Sequence, residues 1–238
     1  SGRTDAGVHA QGQVANFETT CEIPCPNLHK AIGGRLPKDI TIHRIREVPL
    51  GFRATREALS KLYRYTIYND NRRPVSEHRQ RYVYHYWQPL DIDRMRNAAR
   101  YLVGRHDFAA FASSGSERET TIRTIYRFEV YRHYNEILLD VEGNGFLYNQ
   151  VRNMVGTLIE IGRGHWPINR MPGILDSRNR CHAGGTAPAR GLCLQWVRYN
   201  FTNYNPTNNL NPPEPLFDES SPSEPQSSDQ TADLDNSP

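Results

Sequence analysis

The stretch from Phe146 to Gly162, FLYNQVRNMVGTLIEIG, is apolar on most sides at helical spacing. A helix without a polar face must be covered all round by other elements, so this one is expected at the centre of a core. It falls short of the ~20 residues needed to span a membrane, as does every other apolar run in the chain. The covering layers are legible on either side of it. Lys61 to Tyr68 alternates, with Tyr63, Tyr65 and Ile67 on one face and Leu62, Arg64, Thr66 and Tyr68 on the other. Ile122 to Arg132 and Glu136 to Glu142 read as a hairpin around His133-Tyr134-Asn135, and Leu192 to Tyr199 as a final strand. Asp91 to Val103 carries Ile92, Met95, Ala99 and Leu102 as the stripe of an amphipathic helix, and Asn27 to Leu36 reads as a helix stopped by Pro37. Gln13 to Phe17 and Asp39 to Val48 are expected as further strands. Hairpins interspersed with crossover helices define an α+β class, with helices packed on a mainly antiparallel sheet.

From Asn203 onward seven of the 26 acidic residues appear with no Lys or Arg. That leaves 29 basic against 19 acidic residues in the body, a charge of +10. Such a body favours a polyanionic partner, and all but three of its basic residues are arginines, whose planar forks suit phosphates and base faces. Residues 202–238 are rich in Asn, Pro, Ser and acids, with little to bury, and are expected to be disordered. Cys21, Cys25, Cys181 and Cys193 are too few and scattered for a disulfide framework, which points to a reducing, cytoplasmic setting. Cys21 and Cys25 lack a second ligand pair at metal spacing, so no metal is expected.

Three segments carry candidate chemistry. In Gly2-Arg3-Thr4-Asp5-Ala6-Gly7 two glycines flank a charged run, the composition of a tight loop that a ligand can approach closely. Alone, an aspartate there is more often a turn residue than a catalyst. Tyr63 stands on the alternating strand, where it is either a core tyrosine or a platform for an unstacked base. Arg152 lies inside the apolar helix beside Val155, Gly156 and Ile159. A charge so placed needs a partner, either a structural acid or the carboxylate of Asp5.

Taken in order along the chain, these segments resemble the TruA family of tRNA pseudouridine synthases. Gly2-Arg3-Thr4-Asp5-Ala6-Gly7-Val8-His9-Ala10 is similar to the family signature, Tyr63-Arg64-Tyr65 to its second motif, and Val151-Arg152-Asn153-Met154-Val155-Gly156 to its third. Asp107-Phe108, Arg123-Thr124-Ile125 and Gly185-Thr186-Ala187-Pro188-Ala189-Arg190-Gly191-Leu192 match in addition, so the resemblance runs from Ser1 to about Phe201. Phe52-Arg53-Ala54-Thr55 departs from the family's Phe-His-Ala-Arg, with Arg56 one place late.

The resemblance implies two ferredoxin-like halves, residues 1–55 holding what remains of the first and 56–201 forming the second. In the family a strand and a helix precede the signature, so the first half is expected to be incomplete. It also implies a homodimer acting on tRNA, without cofactor or metal, that converts uridine to pseudouridine in the anticodon arm, typically at positions 38 to 40. By motif, Asp5 is the catalytic aspartate and Tyr63 packs on the target base and helps remove the C5 proton. Arg152 pairs with Asp5, and Arg3 helps hold the flipped nucleotide. A non-catalytic tRNA-binding or chaperone module would keep the basic body and dispense with Asp5. A glycoside hydrolase would need a second carboxylate near Asp5, which no motif supplies.

Overall fold

The computed structural model describes residues 1–113, 115 and 119–201. The acidic segment 202–238, expected to be disordered, lies outside the described residues. The organising element is strand β2 (Ala58–Asn69), whose alternation sends Tyr65 and Ile67 into the core and Arg64 to the opposite face. It pairs antiparallel with β6 (Glu136–Gly143) on one side and β7 (Leu192–Tyr199) on the other. Beyond β6 come β5 (Ile122–His133) and β4 (Gly104–Asp107), both antiparallel. Beyond β7 lies the short β1 (His9–Ala10), parallel to it, and β3 (Tyr84–Tyr86) runs parallel to the end of β2. Together these form one mixed sheet of the α+β class. The hairpin turns where expected, with Tyr134 in the left-handed region at φ 51°.

Helices α3 (Ile92–Ala99), α4 (Gln150–Gly162) and α5 (Arg170–Ser177) contribute to one buried cluster with the inner face of the sheet. Two further helical elements, α1 (Cys25–Gly33) and α2 (Glu77–Gln80), bury none of their residues. At the start of the helix expected from Asp91, the Asp91 side chain accepts from the Arg94 amide at 3.0 Å and caps α3. Every residue of α4 except Arg152 and Glu160 is buried. Its interior placement depends on glycines. A Cβ on Gly156 would lie 1.7 Å from the Gly185 carbonyl oxygen, so the helix and the 184–187 loop approach backbone to backbone. Asn153, fully buried, fastens the same contact. Its amide donates to the Phe111 carbonyl at 2.7 Å, and its oxygen accepts from Thr186 at 2.7 Å and Arg180 at 2.9 Å.

Four expected elements differ. The central helix begins at Gln150 rather than Phe146, because Asn149 adopts a left-handed conformation (φ 59°, ψ 6°) that no helix turn can include. Gln13 to Phe17 forms no strand: the Leu194 carbonyl accepts both the Gln11 and Gly12 amides, which ends the β1–β7 ladder, and side chains anchor the residues beyond it. Among these, Asn16 accepts from the Ala54 amide at 2.9 Å. Asp39 to Val48 has the alternation of a strand but pairs with none, and His29 reaches the Ile42 carbonyl at 2.8 Å instead. The first helix occupies Cys25–Gly33, starting two residues earlier than expected and ending before Pro37. No helix among the described residues is long and apolar enough to cross a membrane.

Candidate active site

Asp5, Tyr63 and Arg152 come from a loop, a strand and a helix far apart in sequence, and they line one cleft of about 440 Å³. That volume is in the range that takes a small ligand, ~300–1,000 Å³. Each side chain arrives there for a local reason. The Val8 amide donates to the Asp5 carbonyl at 3.0 Å, closing a tight turn whose Gly7 has φ 80°. A turn needing a left-handed third residue takes glycine at no steric cost. A Cβ on Gly7 would touch the Ala189 side chain at 3.4 Å, so the turn sits against the 188–191 loop, and β1 continues from it into the sheet.

Tyr63 enters the cleft from the inner face of β2 with Phe146 set at right angles to it, ring centroids 5.3 Å apart. Edge-to-face contact of this kind fixes the ring plane. Burial first, then the nearby Asp5 carboxylate and Cys193, push the Tyr63 hydroxyl up to about 12. It therefore holds its proton throughout the neutral range. Its neighbour Tyr65 belongs to the frame: fully buried, it donates to the Pro188 carbonyl at 2.7 Å and packs on Gly191, where a Cβ would come within 2.6 Å of its ring.

Arg152 leaves the buried helix toward the cleft, where its Nη1 lies 3.5 Å from Asp5 Oδ2. Its Nε donates to the Ala187 carbonyl at 2.7 Å and Nη1 also donates to Asn149 Oδ1 at 2.8 Å. The embedded charge thus meets both a carboxylate and fixed polar partners, which is what removal from water demands. Arg3 lines the exposed mouth of the cleft, and Lys61, from the wall beside Tyr63, donates to the Ser1 carbonyl.

All four residues picked out from the sequence are thus brought to one place. Phe146 and Asn149, which also line the cleft, are not recognisable at the sequence level because both fall inside the apolar helical pattern. The signal that marks them is Asn149 itself, an asparagine just ahead of a helix and one of the few residue types that tolerate a left-handed backbone. At the departure from the family pattern, Phe52 and Ala54 are buried and the Tyr199 hydroxyl donates to the Ala54 carbonyl at 2.7 Å, while Arg53 and Arg56 are exposed. Among the described residues no three His, Cys, Asp or Glu side chains gather as metal ligands would.

A family model for tRNA pseudouridine synthases matches residues 98–200. The tRNA pseudouridine synthase A of Acetivibrio thermocellus is 46% identical over 197 residues, covering 83% of this chain and 80% of that protein. That of Clostridium kluyveri is 42% identical over 199 residues, covering 84% and 81%, and that of Limosilactobacillus fermentum 43% over 202 residues, covering 84% and 78%. With identity of this level across most of both chains, the protein belongs to the tRNA pseudouridine synthase A (TruA) family of isomerases.

Proposed function

We propose that this chain isomerises uridine to pseudouridine in the anticodon arm of tRNA, typically at positions 38 to 40, with Asp5 as the catalytic residue. The observation that carries the reading is the meeting of Asp5, Tyr63 and Arg152 in a single cleft. The reaction breaks the bond between N1 and C1′, turns the uracil, and joins C5 to C1′, with one proton leaving C5 and one arriving at N1. Nothing is oxidised or reduced, so side chains suffice. A target in a stem must first leave the stack, at a cost of a few kcal/mol.

Asp5 acts either as a nucleophile at C1′ or as a base toward the sugar. Arg152 supplies its counter-ion. Tyr63 presents a ring face, braced by Phe146, against which the turned-out uracil packs. Because its hydroxyl stays protonated until about 12, the better-supported role is platform and hydrogen-bond donor rather than resting base for the C5 proton. Arg3, exposed at the cleft, helps hold the flipped nucleotide.

The same reading takes the sheet as the joined sheets of two ferredoxin-like halves divided near residue 55, and the working unit as a homodimer. The four cysteines are all free thiols, in keeping with a cytoplasmic enzyme. Mapping pseudouridine in tRNA after incubation with the chain and with Asp5→Ala tests the assignment. Product from the parent and none from the variant is expected. Product persisting in Asp5→Ala would remove Asp5 from its role, and tRNA binding without product by either would leave a binding module.

A further inference from the structure

Asn149 occupies the N-cap position of α4, where an asparagine ordinarily accepts a hydrogen bond from an amide of the first helical turn. Here its side chain makes no such cap. The residue also sits in the left-handed region, at φ 59° and ψ 6°, a conformation that asparagine tolerates but that an N-cap, ordinarily extended, does not use. The capping bond, an ordinary source of helix stability, is thus given up at this residue, and an observed departure of this kind asks for a function.

Both halves of the amide are used elsewhere. Oδ1 accepts from Arg152 Nη1 at 2.8 Å, and Nδ2 donates to Ser113 Oγ at 3.2 Å. A guanidinium can only donate, so the amide has a single orientation here. Ser113 is itself fastened to the same turn, its amide donating to the Tyr148 carbonyl at 3.0 Å, and its Oγ accepts from Asn153 at 3.3 Å.

The distances decide what orients Arg152. A charge-assisted hydrogen bond between Arg and a carboxylate runs ~2.7–2.9 Å. Arg152 and Asp5 are 3.5 Å apart, whereas the contacts to Asn149 and Ala187 are 2.8 and 2.7 Å. Two short contacts at different nitrogens fix the plane of the guanidinium independently of Asp5. The aspartate is then free to advance on the sugar while its counter-ion stays in place.

We propose that Asn149 is a positioning residue for the reaction: it forgoes capping α4 in order to hold the Arg152 guanidinium beside Asp5, and Ser113 orients its amide. The proposal rests on the reading of Asp5 and Arg152 as the catalytic pair. Asn149→Gly separates function from folding, since glycine accepts the left-handed backbone freely and is a tolerable N-cap. The variant should melt within a few degrees of the parent and keep its KM for tRNA, while kcat falls about 10- to 100-fold, the range for a lost hydrogen bond to a charged group. Ser113→Ala should lower kcat in the same direction by a smaller factor. A normal kcat in Asn149→Gly overturns the proposal, as does a raised KM with kcat intact, which would make Asn149 a direct binding contact. An activity loss matched by a loss of folded protein overturns it too. Asp5→Ala assayed alongside distinguishes the failures: if it stays active the catalytic pair is wrong, and if it is dead while Asn149→Gly is normal only the positioning role falls.

Discussion

The cleft draws its residues from two regions that are held together in different ways. Tyr63 and Arg152 stand on a frame made of β2, α4 and the 183–192 loop, where backbones touch at glycines and buried side chains leave no spare donors at Asn153 or Tyr65. Asp5 stands on a tight turn that joins the sheet through the two-residue strand β1. Past β1, residues 11–57 have no strand and a helix with no buried residue. The chemistry is therefore split between a stiff platform and a lightly attached loop. Substitutions in the frame away from the cleft should be read out as stability, and those in the loop as rate.

The same change made in each region breaks or sharpens that contrast. Gly156→Ala would force a Cβ to 1.7 Å from a backbone oxygen that no side-chain motion can clear. It is expected to cost about 3 kcal/mol or more, roughly 6–12 °C in a domain of this size, measured by thermal melting. Gly33→Ala, at the end of α1, meets nothing within 4 Å. There the added methyl should leave stability unchanged or raise it by up to about 1 kcal/mol, because it restricts the unfolded chain. Equal losses at both positions would end the distinction.

A second test falls on the frame but away from the cleft. On the outer face of the sheet Arg64 grips Asp140 through two hydrogen bonds of 2.7 Å, and the Tyr131 hydroxyl donates to the same carboxylate at 3.1 Å. Asp140 is 4% exposed, so Arg64→Ala strands a buried anion. A cost of about 2–3 kcal/mol is expected, below the fully buried range because the guanidinium is partly solvated. Denaturant titration should show this loss while turnover per folded molecule is kept.

The third test is one of pH. An unfolded tyrosine titrates near 10, whereas Tyr63 in the folded chain holds its proton to about 12. Between those values the unfolded state releases a proton that the folded state keeps, so stability falls as pH rises from 10 to 12 and is unaffected by this group below 10. Tyr63→Phe should lessen the drop in denaturation midpoint across that window. An identical drop in parent and variant would show that Tyr63 is not held by its surroundings as described.

Much of the frame could be read from the sequence because its signals are local. Tyr65 and Ile67 alternate, β7 has the bounds Leu192–Tyr199 that its pattern gives, and the turn His133-Tyr134-Asn135 closes the hairpin. Arg152 announced itself as a charge in an apolar helix. The segments from Gln13 and Asp39 misled because alternation records only which side chains share a face, and a strand also needs a neighbour to pair with. Asn149 and Phe146 were hidden for the converse reason. Their spacing continues a helical pattern, and a left-handed backbone angle has no counterpart in residue spacing.

The central claim is that the carboxylate of Asp5 carries the chemistry while the rest of the cleft binds and orients. Asp5→Asn keeps the size of the side chain and the turn that presents it. Single-turnover measurement of pseudouridine formation in a tRNA anticodon arm should show a loss of about 10³-fold or more with tRNA affinity unchanged. Turnover within about tenfold of the parent would contradict the account.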